Sequence, residues 1–316
     1  MMNVLNNFQP NLRSSGDLIA DRRYDFAVGY AAAGDFQAAA ELLEQVIERT
    51  PSWPAAWAAL AQAREALGQN EAAVHAFARA AALDAKDELG ASLHLARLGA
   101  AAAPDTAPER YIESLFDQYA GRFEAHLVDT LSYRGPAQLA AAVGQQHSGR
   151  FAHVVDLGCG TGLCGAAFRA KADFLAGVDL SPLMIAQARA KGLYDQLYVQ
   201  NLSAFLDAAA AASADLLLAA DVLMYVGDLD PLLRGARRVL RPSGLFAFTL
   251  QKAQASSEVS CDGFQIGADL RYAHQPAYVR ALAQRQEFVV ASMEETSTRR
   301  EAGIDVPGLI TILETC

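Results

Sequence analysis

The chain has 316 residues, of which 52% are hydrophobic, and a formal net charge of −10. This length allows two domains, each with a core of its own. The acidic balance argues against a general nucleic-acid binder, which needs a basic face for phosphates. No uninterrupted apolar run approaches the roughly 18–20 residues that span a bilayer, so no membrane partner is expected.

Residues 1–19 are predicted to form an N-terminal tail. They lack a basic region followed by an apolar one, so no signal peptide is expected. The four cysteines, Cys159, Cys164, Cys261 and Cys316, form neither a CxxC pair nor a His/Cys pattern with metal-ligand spacing. We therefore predict free thiols in a reducing cytoplasm and no metal site.

Residues 20–103 show a helical pattern that repeats at a spacing of 34. "GDFQAAAELLEQVI" starts at Gly34 and "GQNEAAVHAFARAA" starts at Gly68, with small and bulky residues in the same register. The segment resembles tetratricopeptide (TPR) repeats. It predicts two repeat units and a third helix in "DELGASLHLARLG", although a generic alanine-rich helical hairpin remains an alternative. The resemblance implies binding to a protein partner or self-association, and residues 104–110 are predicted to be a linker.

Residues 111–316 alternate short apolar strands with helical stretches. The strands are "HVVDLG", "DFLAGVDL", "QLYVQN", "DLLLAAD" and "GLFAFTLQ". This alternation predicts an α/β fold, a doubly wound and mostly parallel Rossmann-like sheet with helices on both faces. The last residues offer two strands with no helix between them, so we expect a seven-stranded sheet whose last strand is antiparallel.

A glycine-rich turn, "FAHVVDLGCGTGLCG", follows the first of these strands. Gly160, Gly162 and Gly165 spell the GxGxxG of dinucleotide-binding proteins. In that fingerprint the first glycine leaves the strand directly, whereas here Gly158 does so, and Leu163 then occupies the third glycine position. A dinucleotide therefore fits poorly, and a turn that binds no ligand also remains open.

"VVDLGCGTG" resembles the first motif of class I S-adenosylmethionine (SAM)-dependent methyltransferases in order and spacing. The resemblance implies that SAM is the cofactor, that Asp156 organises the turn and the methionine amine, and that Asp179 binds the ribose hydroxyls. Asn201 stands where the family often has an acid near adenine. The cofactor contacts that the resemblance implies are Asp156, Gly158, Cys159, Gly160, Thr161, Gly162, Asp179, Leu180, Met184, Asn201, Leu202, Ala220, Asp221 and Tyr225, with Tyr119 and Phe123 from a preceding segment. A helix-cap or turn-cap role is the alternative for Asp221.

Two segments are candidates for the acceptor site. Aromatic residues recur at helical spacing within 111–130, which resembles the cap helix that closes over SAM in small-molecule methyltransferases, with core packing as the alternative. An insertion at about 252–276 interrupts the sheet pattern where these enzymes often place a substrate lid. The candidate catalytic or positioning residues are His274 as a base, Arg271 as a carboxylate anchor and Tyr119 in the pocket, with Tyr133 and Arg134 as further anchors.

The whole arrangement resembles bacterial methyltransferases with an N-terminal TPR region. It predicts methyl transfer from SAM to a small-molecule acceptor by in-line displacement, with the TPR region mediating assembly or partner binding. Two alternatives remain: a protein or peptide methyltransferase that docks its target on the repeats, and a SAM-binding scaffold without turnover. Nucleic-acid methylation is not expected, because "DPPY", "NPPY" and the cysteine pairs of carbon-5 chemistry are missing.

Overall fold

The computed structural model describes residues 14–127, 131–254, 263–301 and 303–316. Cys261, residues 1–13 of the predicted tail and 255–262 of the predicted insertion lie outside these ranges. The chain divides into two compact units, a helical unit (Met1–Leu115 with Ala268–Leu270) and a sheet unit (Phe116–Gly267 with Arg271–Cys316). The sequence placed the start of the second domain slightly earlier, at residue 111.

The helical unit contains consecutive helices separated by short turns. They are α1 (Leu18–Ala32), α2 (Phe36–Arg49), α3 (Pro54–Ala66), α4 (Asn70–Leu83) and α5 (Ala91–Arg97), followed by α6 (Glu109–Tyr119). Asp17 begins α1 by accepting hydrogen bonds from the amides of Ile19 and Ala20. Gly34 and Gly68, which revealed the repeat, occupy the same left-handed turn conformation, with φ of +85° and +74°. Glycine suits this conformation because it has no Cβ.

Small residues let these helices pack closely. Ala27, Ala39, Ala61 and Ala73 are completely buried, and Phe77 fills the space between them with its whole ring. Tyr111, which we predicted in the cap helix, packs instead within the helical unit: a Cβ at Gly90 would lie 2.9 Å from its ring. Its burial therefore reflects core packing in the first unit.

The sheet unit alternates strands and helices as the sequence predicted. Its helices are α7 (Phe123–Ala125), α8 (Gly135–Gln146), α9 (Leu163–Phe168), α10 (Pro182–Ala190), α11 (Leu202–Ala208), α12 (Asp230–Val239) and α13 (Pro276–Arg285). Its strands are β1 (Phe151–Leu157), β2 (Ala172–Asp179), β3 (Gln196–Val199), β4 (Ala214–Ala219), β5 (Leu240–Lys252), β6 (Phe264–Ile266), β7 (Tyr272–His274), β8 (Phe288–Thr296), β9 (Arg300–Glu301), β10 (Ile304–Asp305) and β11 (Gly308–Thr315).

The main sheet has the strand order β3-β2-β1-β4-β5-β11-β8. Strands β1 to β5 are parallel, and β11 runs antiparallel between β5 and β8. This confirms the predicted mostly parallel sheet with an antiparallel last strand. The order reverses between β1 and β4, and ligands of doubly wound sheets bind at the carboxyl ends of the strands at such a point.

Three features of the sheet unit differ from the sequence prediction. The single cap helix at 111–130 is not continuous, because α6 ends at Tyr119 and a 3-10 turn, Ala120–Arg122, separates it from α7. The insertion after β5 forms β6 and β7, and β7 pairs in parallel with β5. A small hairpin of β9 and β10 between β8 and β11 was not predicted.

No helix within the described ranges is both long and apolar enough to cross a membrane.

Candidate functional site

Three aspartates lie where β1, β2 and β4 end, at the same edge of the sheet. Asp156 is the second-to-last residue of β1, Asp179 ends β2, and Asp221 follows β4 by two residues. β1 pairs with both β2 and β4, and this register brings the three strand ends together. The edge therefore combines a glycine-rich turn with three carboxylates, which suits a ligand with positive charge and hydroxyl groups.

Asp156 is completely buried, and its carboxylate is only partly satisfied. Its Oδ2 accepts a hydrogen bond of 2.6 Å from the phenol of Tyr194. Its Oδ1 is buried and has no hydrogen-bond partner among the described residues. Burial raises the pKa of Asp156 to about 7, although the bond from Tyr194 opposes the rise and the nearby charge of Asp179 adds to it. A buried oxygen of this kind is costly unless a ligand satisfies it.

The glycine turn is shaped by close packing. Gly158 has a φ of +71°, and a Cβ there would lie 2.4 Å from the side chain of Val222. The amides of Gly158 and Cys159 donate to the carbonyl of Val178 on β2, at 2.8 and 2.9 Å. Cys159 and Thr161 are buried, and burial raises the pKa of the Cys159 thiol well above its ordinary value.

Two other glycines of the motif have different tasks. Gly162 has a φ of +95° and precedes α9. A Cβ at Gly165 would lie 2.4 Å from the Tyr194 ring, so Gly165 makes room for this tyrosine. Its place in the GxGxxG pattern has a packing explanation, which agrees with our interpretation that the dinucleotide match is out of phase.

Asp179 holds the turn from the neighbouring strand. Its Oδ2 accepts from the amide of Gly160 at 2.8 Å, and its Oδ1 accepts from the amide of Ser181 at 2.9 Å. Burial raises the pKa of Asp179 to about 6, while these backbone donors favour the charged form. Each carboxylate oxygen retains a further lone pair, so the predicted ribose contact stays compatible with the structure.

Asp221 lies in a polar network rather than at a helix end. Its backbone has a φ of +51°, an uncommon conformation for a residue with a side chain. Its Oδ1 accepts from Thr249 at 2.9 Å, and its Oδ2 pairs with the buried Arg299 at 3.3 Å. Arg299 also donates to Glu301 at 3.1 Å. The helix-cap alternative for Asp221 is therefore wrong, and the preceding Ala220 is half-buried.

The predicted adenine contacts have mixed positions. Leu180 and Leu202 are half-buried, and Leu202 packs against the core. Met184 is completely buried, which corrects its predicted role beside adenine, because α10 turns its side chain inward. The Oδ1 of Asn201 accepts from the amides of Ser203 and Ala204 and so caps α11, a task that the sequence prediction did not anticipate.

The segment around α7 lies over the carboxyl edge of the sheet. Phe123 faces the glycine turn, because a Cβ at Gly160 would lie 3.6 Å from its ring. Phe116 packs edge-to-face on Tyr225 after β4, with ring centroids 5.5 Å apart. Asp117 accepts a hydrogen bond of 2.5 Å from Ser181 after β2. One segment thus contacts the turns that follow three strands.

Further polar contacts hold this segment in place. Glu124 accepts from Thr161 in the glycine turn and pairs with Lys191 at the end of α10. Gln187 donates to the carbonyl of Ala120 at 2.6 Å. These contacts explain why the chain bends at Ala120–Arg122: the cap follows the turns of the sheet instead of continuing as a straight helix.

Two of the candidate catalytic residues occupy other roles. His274 is completely buried in β7, its Nε2 lies 3.0 Å from the carbonyl of Gly227, and burial lowers its pKa to about 4. It is a core residue, so its predicted role as a base is wrong. Arg271 is buried and pairs with Glu301 at 2.7 Å, so its charge is already matched. Tyr119 remains in the cap, with its ring edge-to-face on Phe123.

The predicted anchors Tyr133 and Arg134 lie near the Asp221 network. Burial and the charge of Asp221 raise the pKa of Tyr133 well above its ordinary value. Arg134 is exposed, and its amide donates to the carbonyl of Thr298 at 2.7 Å. Arg134 therefore ties the β8–β9 connection to the start of α8.

Several residues of the site were not predicted. Tyr194, Val222 and Arg299 contact Asp156, Gly158 and Asp221 at the strand ends, and Glu301 pairs with Arg299; none of the four belongs to a recognisable motif. The one available signal was "STRRE" after β8, a basic and acidic cluster in an otherwise strand-like tail. Within the described ranges, no group of three His, Cys, Asp or Glu residues is arranged to hold a metal ion.

Comparison with protein families identifies both parts of the chain. Residues 155–248 match the methyltransferase domain family, and residues 30–98 match the tetratricopeptide repeat family. The chain therefore carries a region that matches tetratricopeptide repeats, followed by a region that matches a methyltransferase domain. The partnerless Oδ1 of Asp156 beside the glycine turn fits a cofactor whose amine and sulfonium are positive.

Curated relatives match part of the chain. A malonyl-acyl-carrier protein O-methyltransferase of Enterobacter lignolyticus is 35% identical over 112 residues, which cover 35% of this chain and 43% of the relative. A ubiquinone biosynthesis O-methyltransferase of Xanthomonas oryzae is 30% identical over 38% of this chain and 52% of the relative. Human methyltransferase-like protein 27 is 38% identical over 36% of this chain and 48% of the relative. The chain spans about half the length of these relatives.

A solved structure shares the fold. A Burkholderia thailandensis 1,6-didemethyltoxoflavin-N1-methyltransferase, with bound 1,6-didemethyltoxoflavin and S-adenosylhomocysteine, superposes with a TM-score of 0.51. The match has 17% sequence identity and covers 68% of this chain and 93% of that chain.

Proposed function

We propose that this chain transfers a methyl group from SAM to the oxygen of a small-molecule acceptor in the cytoplasm. The observation that carries the proposal is the buried, partnerless Oδ1 of Asp156 at the point where the strand order reverses. An isolated buried carboxylate oxygen is unfavourable in a folded protein. A positive amine bound there would satisfy it, so this oxygen supports a binding site for the methionine end of SAM.

The surrounding residues would complete the cofactor site. Gly158 and Gly160 allow close backbone approach, and Asp179 would accept hydrogen bonds from the ribose. Bound SAM supplies a methyl group that is already activated by its sulfonium. The protein then has to orient the acceptor and exclude water. Phe116, Phe123 and Tyr225 supply an apolar cover for this purpose.

A small acceptor is supported by the cap. The segment contacts the turns at the strand ends, as Phe123 at Gly160 and Asp117 at Ser181 illustrate, and such a cover leaves little room for a large acceptor. The oxygen acceptor is supported by relatives whose names describe O-methyltransferases. A protein or peptide acceptor docked on the repeats, and a scaffold without turnover, are the competing functions.

Calorimetry of the purified chain with SAM, S-adenosylhomocysteine and NAD tests the cofactor. We expect binding of SAM and its demethylated product and none of NAD. Transfer of radioactive methyl from SAM is then followed in a bacterial lysate separated into dialysable and protein fractions. Label in the dialysable fraction supports the small-molecule acceptor, label in protein supports the competing function, and binding without transfer supports the scaffold.

We also propose that the TPR region mediates assembly or partner binding. The outer side of α1 exposes Leu18, Phe26 and Tyr30, with exposures of 80%, 67% and 45%. Exposed apolar side chains on one helix are a frequent feature of interaction surfaces. Light scattering of the wild-type chain and of Phe26→Ser measures self-association, and a lower mass for the variant is the expected result if this side of α1 is an interface.

A further inference from the structure

We propose that His126 accepts the proton of the acceptor's hydroxyl group during methyl transfer, and that Tyr119 orients its imidazole ring. This proposal rests on the proposed function, because it concerns the same site and an oxygen acceptor. His274, the histidine that the sequence favoured for this task, is excluded by its complete burial in β7. His126 lies in the cap, immediately after α7.

Among the described residues, only one of the two imidazole nitrogens of His126 has a hydrogen-bonding partner. Its Nδ1 contacts the phenol oxygen of Tyr119, and the two rings lie edge-to-face with centroids 5.5 Å apart. Its Nε2 is buried without a hydrogen-bond partner in the described part of the chain. When Nδ1–H donates to the Tyr119 oxygen, Nε2 carries the lone pair and can accept a proton.

The position of His126 relates it to both sides of the site. Phe123, three residues earlier, faces Gly160 in the glycine turn. On the other side, the charge of Glu301 acts on His126, and Glu301 shares Arg299 with Asp221 after β4. His126 thus belongs to the same segment as the ring that faces the glycine turn, and it interacts electrostatically with a carboxylate of the network that includes Asp221.

The surroundings keep His126 neutral at neutral pH. Burial lowers its pKa, and the charge of Glu301 opposes this effect. Among the described residues, the titratable and charged groups that act on it are Tyr119 from α6 and Glu301 from β9, and the charge of Glu301 is matched by Arg271 and Arg299. A neutral imidazole with a lone pair on Nε2 is the form that a general base requires.

The step is balanced in atoms and charge. The O–H bond of the acceptor breaks and its proton moves to Nε2 of His126. The acceptor oxygen forms a bond to the methyl carbon, and the C–S electron pair stays with sulfur to give S-adenosylhomocysteine. The imidazolium then releases the proton to solvent, so no other reactant is needed.

Nitrogen NMR of the imidazole groups in the full chain, saturated with S-adenosylhomocysteine, tests the state of His126 without any acceptor. Between about pH 7.5 and 9, above the ordinary histidine pKa, we expect a neutral ring protonated on Nδ1. In Tyr119→Phe the form protonated on Nε2 should increase, because the oxygen that fixes Nδ1–H is gone. A wild-type ring that carries its proton on Nε2, or remains charged throughout, would overturn the proposal.

Methyl transfer to the dialysable fraction of a bacterial lysate tests the step itself. His126→Asn can still donate to Tyr119 but lacks Nε2, so we expect a loss of about 100-fold or more in rate with SAM binding retained. His147→Gln, an exposed histidine of the same unit, is the matched control. Unchanged transfer by His126→Asn contradicts the proposal. A wild-type chain that binds no SAM contradicts the proposed function instead, and the same NMR measurement on the ligand-free chain then decides the state of His126.

Discussion

Tyr194 donates its phenol proton to Oδ2 of Asp156 at 2.6 Å, across 38 residues of sequence. The same phenol oxygen accepts from the amide of Gly165 at 3.1 Å, and the tyrosine ring fills the space beside Gly165 and Gly177. Tyr194 thus connects the packing of the glycine-turn helix to the charge state of Asp156. The strength of SAM binding should depend on this pair.

Replacing Tyr194 with phenylalanine removes the hydrogen bond but keeps the ring. Since that bond favours the charged carboxylate, the pKa of Asp156 should rise above about 7. We expect SAM affinity at neutral pH to fall by about tenfold, as for the loss of a hydrogen bond to a charged group, and to recover partly at higher pH. Calorimetry over a pH series measures this, and identical curves for variant and wild type would contradict it.

SAM affinity should increase with pH in the wild-type chain. Asp156 and Asp179 have raised pKa values of about 7 and about 6, so both are partly protonated in weakly acidic solution. Binding of a cation favours their charged forms, so protons are released and affinity rises, by up to about tenfold per pH unit for each proton. Calorimetry in two buffers with different ionisation enthalpies counts the protons. The Asp156→Asn variant should release fewer protons on SAM binding. A SAM affinity that does not change with pH would exclude the coupling between SAM binding and the ionisation of these aspartates.

Asp179→Asn should weaken SAM binding by about 30-fold or more, because hydrogen bonds to a charged acceptor are stronger than those to an amide. It should also loosen the turn, since the amides of Gly160 and Ser181 both donate to this carboxylate. The exposed Asp207→Asn is the matched control for loss of one negative charge. A folded Asp179→Asn with unchanged affinity would remove Asp179 from the site.

Gly158→Ala should destabilise the protein as well as prevent binding. The new Cβ would lie 2.4 Å from the side chain of Val222, and the alanine would have to adopt a φ of +71°. The steric clash and the backbone strain together should lower the free energy of unfolding by about 2–4 kcal/mol. Gly192→Ala is the matched control: Gly192 has a φ of +63°, but a Cβ there would meet no described atom within 4 Å. We therefore expect this variant to lower the free energy of unfolding by only about 1 kcal/mol. Urea unfolding measures both. Adding Val222→Ala should restore part of the loss at Gly158, and no restoration would contradict the steric explanation.

His274 should make the fold sensitive to acid. Its folded-state pKa is lowered to about 4, so as the pH falls below about 6.5 the unfolded chain binds a proton before the folded chain does. The free energy of unfolding therefore decreases over this range. Asp156 and Asp179, whose pKa values are raised, act in the opposite direction, but equally in wild type and variant.

His274→Gln isolates this contribution, because its amide can still donate to the carbonyl of Gly227. We expect a flatter loss of stability between about pH 6.5 and 5 than in the wild type. Urea unfolding at both pH values measures the difference. Parallel losses in the two proteins would show that His274 is protonated in the folded chain.

Much of the fold was predictable because it depends on local residue types. Gly34 and Gly68 mark turns with positive φ, and alternating strands and helices specify a mostly parallel sheet. The turn around Gly158 was predictable for the same reason. The prediction for the cap was less accurate, since its bend after Tyr119 follows from contacts with distant turns.

The sequence by itself determined the helical repeats followed by alternating strands and helices, the mostly parallel sheet with an antiparallel last strand, and the glycine turn beside Asp156. These features follow from hydrophobic period and backbone conformation, which neighbouring residues decide. Only the tertiary structure decided that Tyr194 satisfies one oxygen of Asp156, that Arg299 pairs with Asp221, and that His274 is completely buried in β7. Burial and pairing depend on residues far apart in the chain, and no local pattern records which of them meet.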